Sequence, residues 1–180
     1  NRPLYIGEDV LRTVKYADPQ NPNSHQLPAK HKLHEQSLNV QGTVLWYAAA
    51  VVNNPGNYAK LLQNNYWRYP ALQPLMPFID DKAPKKPRSL KVSWSDDGCL
   101  LHWKAPKGKG WENEAYKYVV YRFGSDEEID LDNPTKIVAI TYQPALRLNY
   151  NGGETKYTYV VTALDRMSNE SVGKKKKIRL

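Results

Sequence analysis

The chain has 180 residues, of which 41% are hydrophobic and 24% charged, a composition that sustains a buried core and argues against wholesale disorder. No apolar run approaches the ~18–20 residues of a membrane-spanning helix. The single cysteine, Cys99, excludes an internal disulfide and a multi-cysteine zinc site. The sequence starts without Met and without a basic-then-apolar leader, as expected of a processed chain or a piece of a longer one. Charge is unevenly spread. Residues 1–81 hold seven Lys/Arg against six Asp/Glu, a net of +1, and residues 82–180 hold nineteen against twelve, a net of +7.

Residues 4–6 read as a short strand ending at Gly7, residues 8–15 as a turn of helix, and the polar stretch 17–28 as a long loop. A helix is predicted over 30–38 with Leu33 and Leu38 facing inward. Residues 40–52 begin as a strand in which Gly42 permits close backbone approach. Asn53-Asn-Pro-Gly56 is a turn. Tyr58, Leu61, Leu62 and Tyr66 then fall at helical spacing. The order is strand, helix, strand, helix. A boundary follows in Pro77-Phe-Ile-Asp-Asp-Lys-Ala-Pro84-Lys-Lys-Pro87, where three prolines and five charges in eleven residues predict a stiff, solvated connection with Asp80 and Asp81 in water. Two domains are therefore expected, 1–81 and 82–180.

The second half alternates with a period of two. Leu90, Val92 and Trp94 share one face, and Leu101 and Trp103 another strand. Further strands are expected over 116–123, 135–142, 145–150, 157–164 and 172–180, with turns between. Seven short strands are the arithmetic of a β-sandwich. The run from Tyr157 through Tyr159, Val161, Ala163 and Asp165 to Asn169 and Ser171 resembles the sixth strand and following loop of fibronectin type III domains. Pro84 and Pro87 before the first strand and Trp103 on the second also fit that family. An immunoglobulin domain would want a second cysteine near Val161. The aromatics of this half are read as core, and Trp94 and Trp103 not as ligand platforms. The block Lys174, Lys175, Lys176 and Lys177 reads as a solvated edge strand. Stacking aromatics are not interleaved with it, so no nucleic-acid partner is expected.

In the first half, Pro3-Leu-Tyr-Ile-Gly-Glu-Asp, Gln41-Gly-Thr-Val-Leu-Trp-Tyr and Tyr69-Pro-Ala-Leu-Gln-Pro-Leu-Met-Pro resemble a bacterial glycosyl-hydrolase-like family, long labelled a domain of unknown function. The resemblance implies a (β/α)8 barrel, some members adding a C-terminal β-sandwich. The fold class expected is an α/β N-terminal segment, the last βα units of an incomplete barrel, followed by an all-β fibronectin type III-like sandwich. A whole barrel takes about 250 residues, so two readings stay open: a C-terminal fragment of a glycoside hydrolase, inactive alone, or a small α/β layer packed on the sandwich. The resemblance also implies a polysaccharide or glycan as the parent protein's substrate and an extracellular, periplasmic or cell-surface location. A carbohydrate-binding or protein-interaction module is the alternative function.

Glycoside hydrolysis ordinarily needs two carboxyl groups flanking the bond. Glu8 and Asp9 follow the first strand, but adjacent residues on an extended chain point to opposite faces, and both also suit the start of a helix. Arg12 is positioned to hold a sugar hydroxyl or to pair with Glu8 one turn away. Trp46 and Tyr47 end the second strand, where aromatic rings either pack into the core or stack on the apolar faces of sugars, and Trp111 is a loop tryptophan that offers the same stacking. These six residues are the substrate-binding candidates. No catalytic residue is assigned. His31 and His34, with His25 and Glu35 nearby, lack the further ligands a metal requires, and no cofactor pattern appears.

Overall fold

The computed structural model describes residues 2–96, 98–108, 110 and 114–180, and the chain divides into two units, Asn1–Arg68 and Tyr69–Leu180. The first unit opens with β1 (Leu4–Asp9). Its last residue caps helix α1 (Val10–Lys15), the Asp9 carboxylate accepting the Arg12 backbone N–H at 3.0 Å. The stretch expected to be a loop folds as a small antiparallel hairpin, β2 (Ala17–Asp18) with β3 (Asn21–His25), where the Asp18 carboxylate accepts the Gln20 N–H at 2.8 Å and closes the turn. Helix α2 (Leu27–Gln36) has its proline in the first turn, where a missing N–H is tolerated. Strand β4 (Val40–Trp46) then returns parallel to β1, with Glu8 opposite Leu45 and Asp9 opposite Trp46. A Cβ at Gly42 would stand 2.7 Å from the Tyr5 ring, so the tyrosine fills the space a side chain would take. Helices α3 (Ala48–Val52) and α4 (Tyr58–Leu61) follow, and α4 runs into a π-helical turn at Leu62–Tyr66. Val10, Leu27, Ala50, Tyr58 and Leu62 form this unit's core.

The barrel expectation is overturned. Barrel strands are buried on both faces and alternate strictly with helices. Here Leu4, Tyr5 and Val44 on β1 and β4 are exposed, and two short helices with a β-hairpin between them fill the crossover. Over the described residues as a whole strand outweighs helix, 39% to 21%, and no barrel-type βα repeat is seen among them. The inner face of α2 also differs from expectation. Leu33 is exposed and Leu38, beyond the helix end, is 98% exposed, while Leu27 and His31 are buried. The helix starts at Leu27 because Pro28 sits in its first turn rather than ending a loop, and the buried stripe therefore falls on 27 and 31, one helical turn apart.

Among its described residues the second unit is a seven-stranded sandwich. One sheet has the order β5 (Arg88–Ser95), β6 (Gly98–Lys104), β9 (Ala145–Leu148). The other has the order β11 (Lys174–Arg179), β10 (Lys156–Leu164), β7 (Lys117–Gly124), β8 (Ile137–Thr141). The pairings within each sheet are antiparallel. This three-on-four arrangement is the fibronectin type III-like sandwich the strand pattern pointed to. Leu90, Cys99, Leu101, Trp103 and Leu148 from the first sheet meet Tyr118, Val120, Tyr159, Val161 and Ile178 from the second. Burial raises the Cys99 thiol above its ordinary value, in keeping with an inert core residue.

Strands β7 and β10 are buried on both faces. Val119, Tyr121, Phe123, Val160 and Leu164 make a second cluster on the outer side of the sheet, covered by Leu72 and Leu131. Leu72 belongs to the stretch ahead of β5, and the same stretch is tied down where Asn169 Nδ2 donates to the Asp80 carbonyl at 3.1 Å. Pro84 and Pro87 are buried and Asp80 half-buried. The connection read as solvated therefore leans on the sandwich, because the large side chains of β7 leave an outer apolar face that needs a cover. The lysine block lies on β11, an edge strand, where charge discourages pairing with another sheet.

Candidate functional site

The parallel register brings the C-terminal ends of β1 and β4 together, and with them five of the six candidates. Trp46 and Tyr47 are 68% and 46% exposed, their rings edge-to-face with centroids 6.3 Å apart. Asp9 sits opposite Trp46 in the ladder. Its carboxylate caps α1 and lies 3.6 Å from Arg12 Nε, so the arginine pairs with Asp9 and not with Glu8. The result is an open aromatic surface beside a carboxylate–guanidinium pair. Trp111 lies outside the described residues.

Glu8 turns the other way, into the unit. It is buried, its Oε2 accepts from the Tyr58 hydroxyl at 3.3 Å, and its Oε1 lies 3.5 Å from His34 Nε2. His34 Nδ1 in turn meets Thr43 Oγ1 at 3.3 Å. The Tyr58 phenol is pushed well above its ordinary value by burial, reinforced by the charge and hydrogen bond of Glu8. His31 stacks on Tyr66, centroids 4.2 Å apart and planes 6° from parallel, with His34 at its edge. This Glu8–His34–Tyr58 network was not anticipated. Its one sequence signal is the period of two in β1, which puts Glu8 on the face of Ile6; Tyr58 and His34 come from distant helices and carry no such mark.

The exposed surface joins two aromatic rings to one solvent-facing carboxylate and one guanidinium. Glycoside hydrolysis ordinarily uses a facing pair of carboxyl groups; here the two adjacent ones face apart, Asp9 toward solvent and Glu8 toward Tyr58 and His34. Among the described residues no three His, Cys, Asp or Glu side chains gather to hold a metal ion.

Acid is expected to loosen this unit. Burial holds the His31 imidazole below its ordinary value, opposed by the carboxylates of Glu8 and Glu35 and assisted by His34. When the folded value is the lower one, the unfolded chain takes up the proton first, so stability is full above pH 6.5 and falls as pH drops below it. Thermal melts between pH 7.5 and 5 should show this decline, and His31→Phe, which keeps a ring against Tyr66, should flatten it. An equal slope in both proteins would disprove the assignment.

No known family profile matches the sequence. The chain is 31% identical over 180 residues, 98% of its length, to a protein named glycosyl hydrolase YngK from Bacillus subtilis (strain 168), and spans 34% of that protein. Among solved structures it is similar to FN3tt mut (20% identity, TM-score 0.39), covering 53% of this chain and 93% of that one. It is likewise similar to an Fn3-like protein from Clostridium thermocellum (23% identity, TM-score 0.39), covering 53% and 92% respectively. The chain thus has a curated relative named a glycosyl hydrolase that aligns along both of its units.

Proposed function

We propose that this chain is the non-cleaving part of an exported glycosyl-hydrolase-like protein. In this reading the first unit offers Trp46 and Tyr47 to a polysaccharide, the sandwich is an accessory module, and the carboxyl groups that break the glycosidic bond are supplied by sequence other than these 180 residues. The observation that carries the reading is the exposed Trp46–Tyr47 pair beside Asp9 and Arg12, with the buried Glu8 unable to serve as its acid partner. The relative named glycosyl hydrolase supports the reaction class. Axial C–H groups of a pyranose carry slight positive charge and favour the negative faces of aromatic rings, while Asp9 and Arg12 offer an acceptor and donors for hydroxyls.

The test is release of reducing ends from xylan, β-glucan and chitin by the 180-residue chain and by the longer protein that contains it. The longer protein is expected to turn over at least one polymer and the chain none. Trp46→Ala in the longer protein is expected to raise KM about fivefold with kcat nearly unchanged, since one stacking contact is worth about 1 kcal/mol. Equal turnover by the chain and the longer protein would overturn the reading.

A further inference from the structure

At one end of the sandwich, Trp94 and Tyr150 stand side by side, 54% and 53% exposed, with ring centroids 5.4 Å apart and planes at 80°. Together with Asp96, Asn149, Gly153 and Arg179 they line a cleft of about 850 Å³. We propose that this cleft is a second glycan-binding site, separate from the Trp46–Tyr47 surface, that seats a neutral sugar of a polysaccharide chain. The class of ligand rests on the glycan reading above.

The strand period places Trp94 on the inward face with Leu90 and Val92, and Leu90 and Trp103 are buried in the core while Trp94 is not. It comes at the strand end, where the core has run out of partners. Two perpendicular rings make a corner in which a pyranose can lay its C–H face on one ring and its edge against the other. The corner is built in advance. Gly153 has a left-handed backbone, φ +79°, and a Cβ there would stand 3.4 Å from the Tyr150 hydroxyl oxygen. Its carbonyl accepts from Arg179 Nη1 at 3.3 Å, which holds the guanidinium at the rim while using one of its five donors. Asn149 adds an amide that both donates and accepts, and Asp96 adds an acceptor, the mixture that sugar hydroxyls require. One guanidinium and one carboxylate balance each other, so the cleft suits an uncharged sugar although the unit around it is basic. Few, convergent polar groups around an apolar wall are what a small-ligand site needs.

The experiment is calorimetric titration of the 180-residue chain with cellohexaose, xylohexaose and laminarihexaose, with tryptophan fluorescence as a second readout. At least one sugar is expected to bind, with Trp94→Ala and Tyr150→Ala each weakening association about tenfold or more. Trp94→Phe should retain part of the affinity. Tyr142→Ala, at another exposed tyrosine of the same unit outside the cleft, should retain all of it. Should Trp94→Ala fail to fold, Tyr150→Ala decides alone. Absence of binding to all three sugars, binding that survives the cleft substitutions, or binding lost only with Trp46→Ala would each overturn the proposal. Hydrolysis by the longer protein is read separately, so failure here leaves the proposed function standing.

Discussion

Trp103→Ala is expected to destabilise the sandwich by about 3–5 kcal/mol, a large part of a small domain's total stability. Trp103 is buried at the centre of the inter-sheet core, edge-to-face with Tyr118 at 5.4 Å. Sheets on both sides constrain the cavity left by truncation, and its backbone is tied by the N–H donated to the Pro144 carbonyl at 3.0 Å, so collapse around the gap is limited. Trp103→Phe is expected to lose about half as much. The buried Nε1 makes no hydrogen bond among the described residues, so phenylalanine forfeits volume and no polar contact. Urea unfolding followed by far-UV circular dichroism measures both. A loss under about 1 kcal/mol for the alanine variant, the level of an ordinary substitution, would show that this core does not depend on the tryptophan.

Glu8→Ala is expected to cost the first unit about 1–3 kcal/mol, because it strands the buried Tyr58 hydroxyl and takes the carboxylate from His34. Glu8→Gln keeps an acceptor for Tyr58 and should cost less. The double variant Glu8→Leu with Tyr58→Phe removes both partners of the bond, and its cost is expected to fall short of the sum of the two single changes. Additive losses would mean that the two residues do not act together. The network has an alkaline signature too. The folded state keeps the phenol neutral above its unfolded value of 10.0, so the stability it supplies is complete below pH 10 and lost as pH climbs beyond.

What could be read ahead of the structure followed from patterns that local physics enforces. The alternation in residues 90–94 and 157–163, with polar turns between strands, reports a sheet face directly, since successive side chains on a strand must point to opposite sides. Sandwich, strand count and buried Trp103 were all legible there. The first half was harder. Its strands are short and half-exposed, so a β–α–β–α order resembled barrel repeats, and only the crossover's hairpin and the exposure of both strands corrected that. The helix over 30–38 was displaced because Pro28 marks a helix start as readily as a loop end.

The candidate site divides along the same line. That Glu8 and Asp9 face apart follows from the pleat alone. That Asp9 pairs with Arg12 while Glu8 reaches Tyr58, fifty residues on, required the tertiary fold. Trp94 shows the limit most plainly: periodicity assigns it to the inner face, where Trp103 is indeed buried, but only the packed sheets decide where that face ends. The β-sandwich and the residues that alternate along each strand were legible in the order of residues, because those depend on neighbours along the chain. Which aromatics are covered and which stay exposed was decided by the three-dimensional packing, because burial depends on what arrives from elsewhere in the chain.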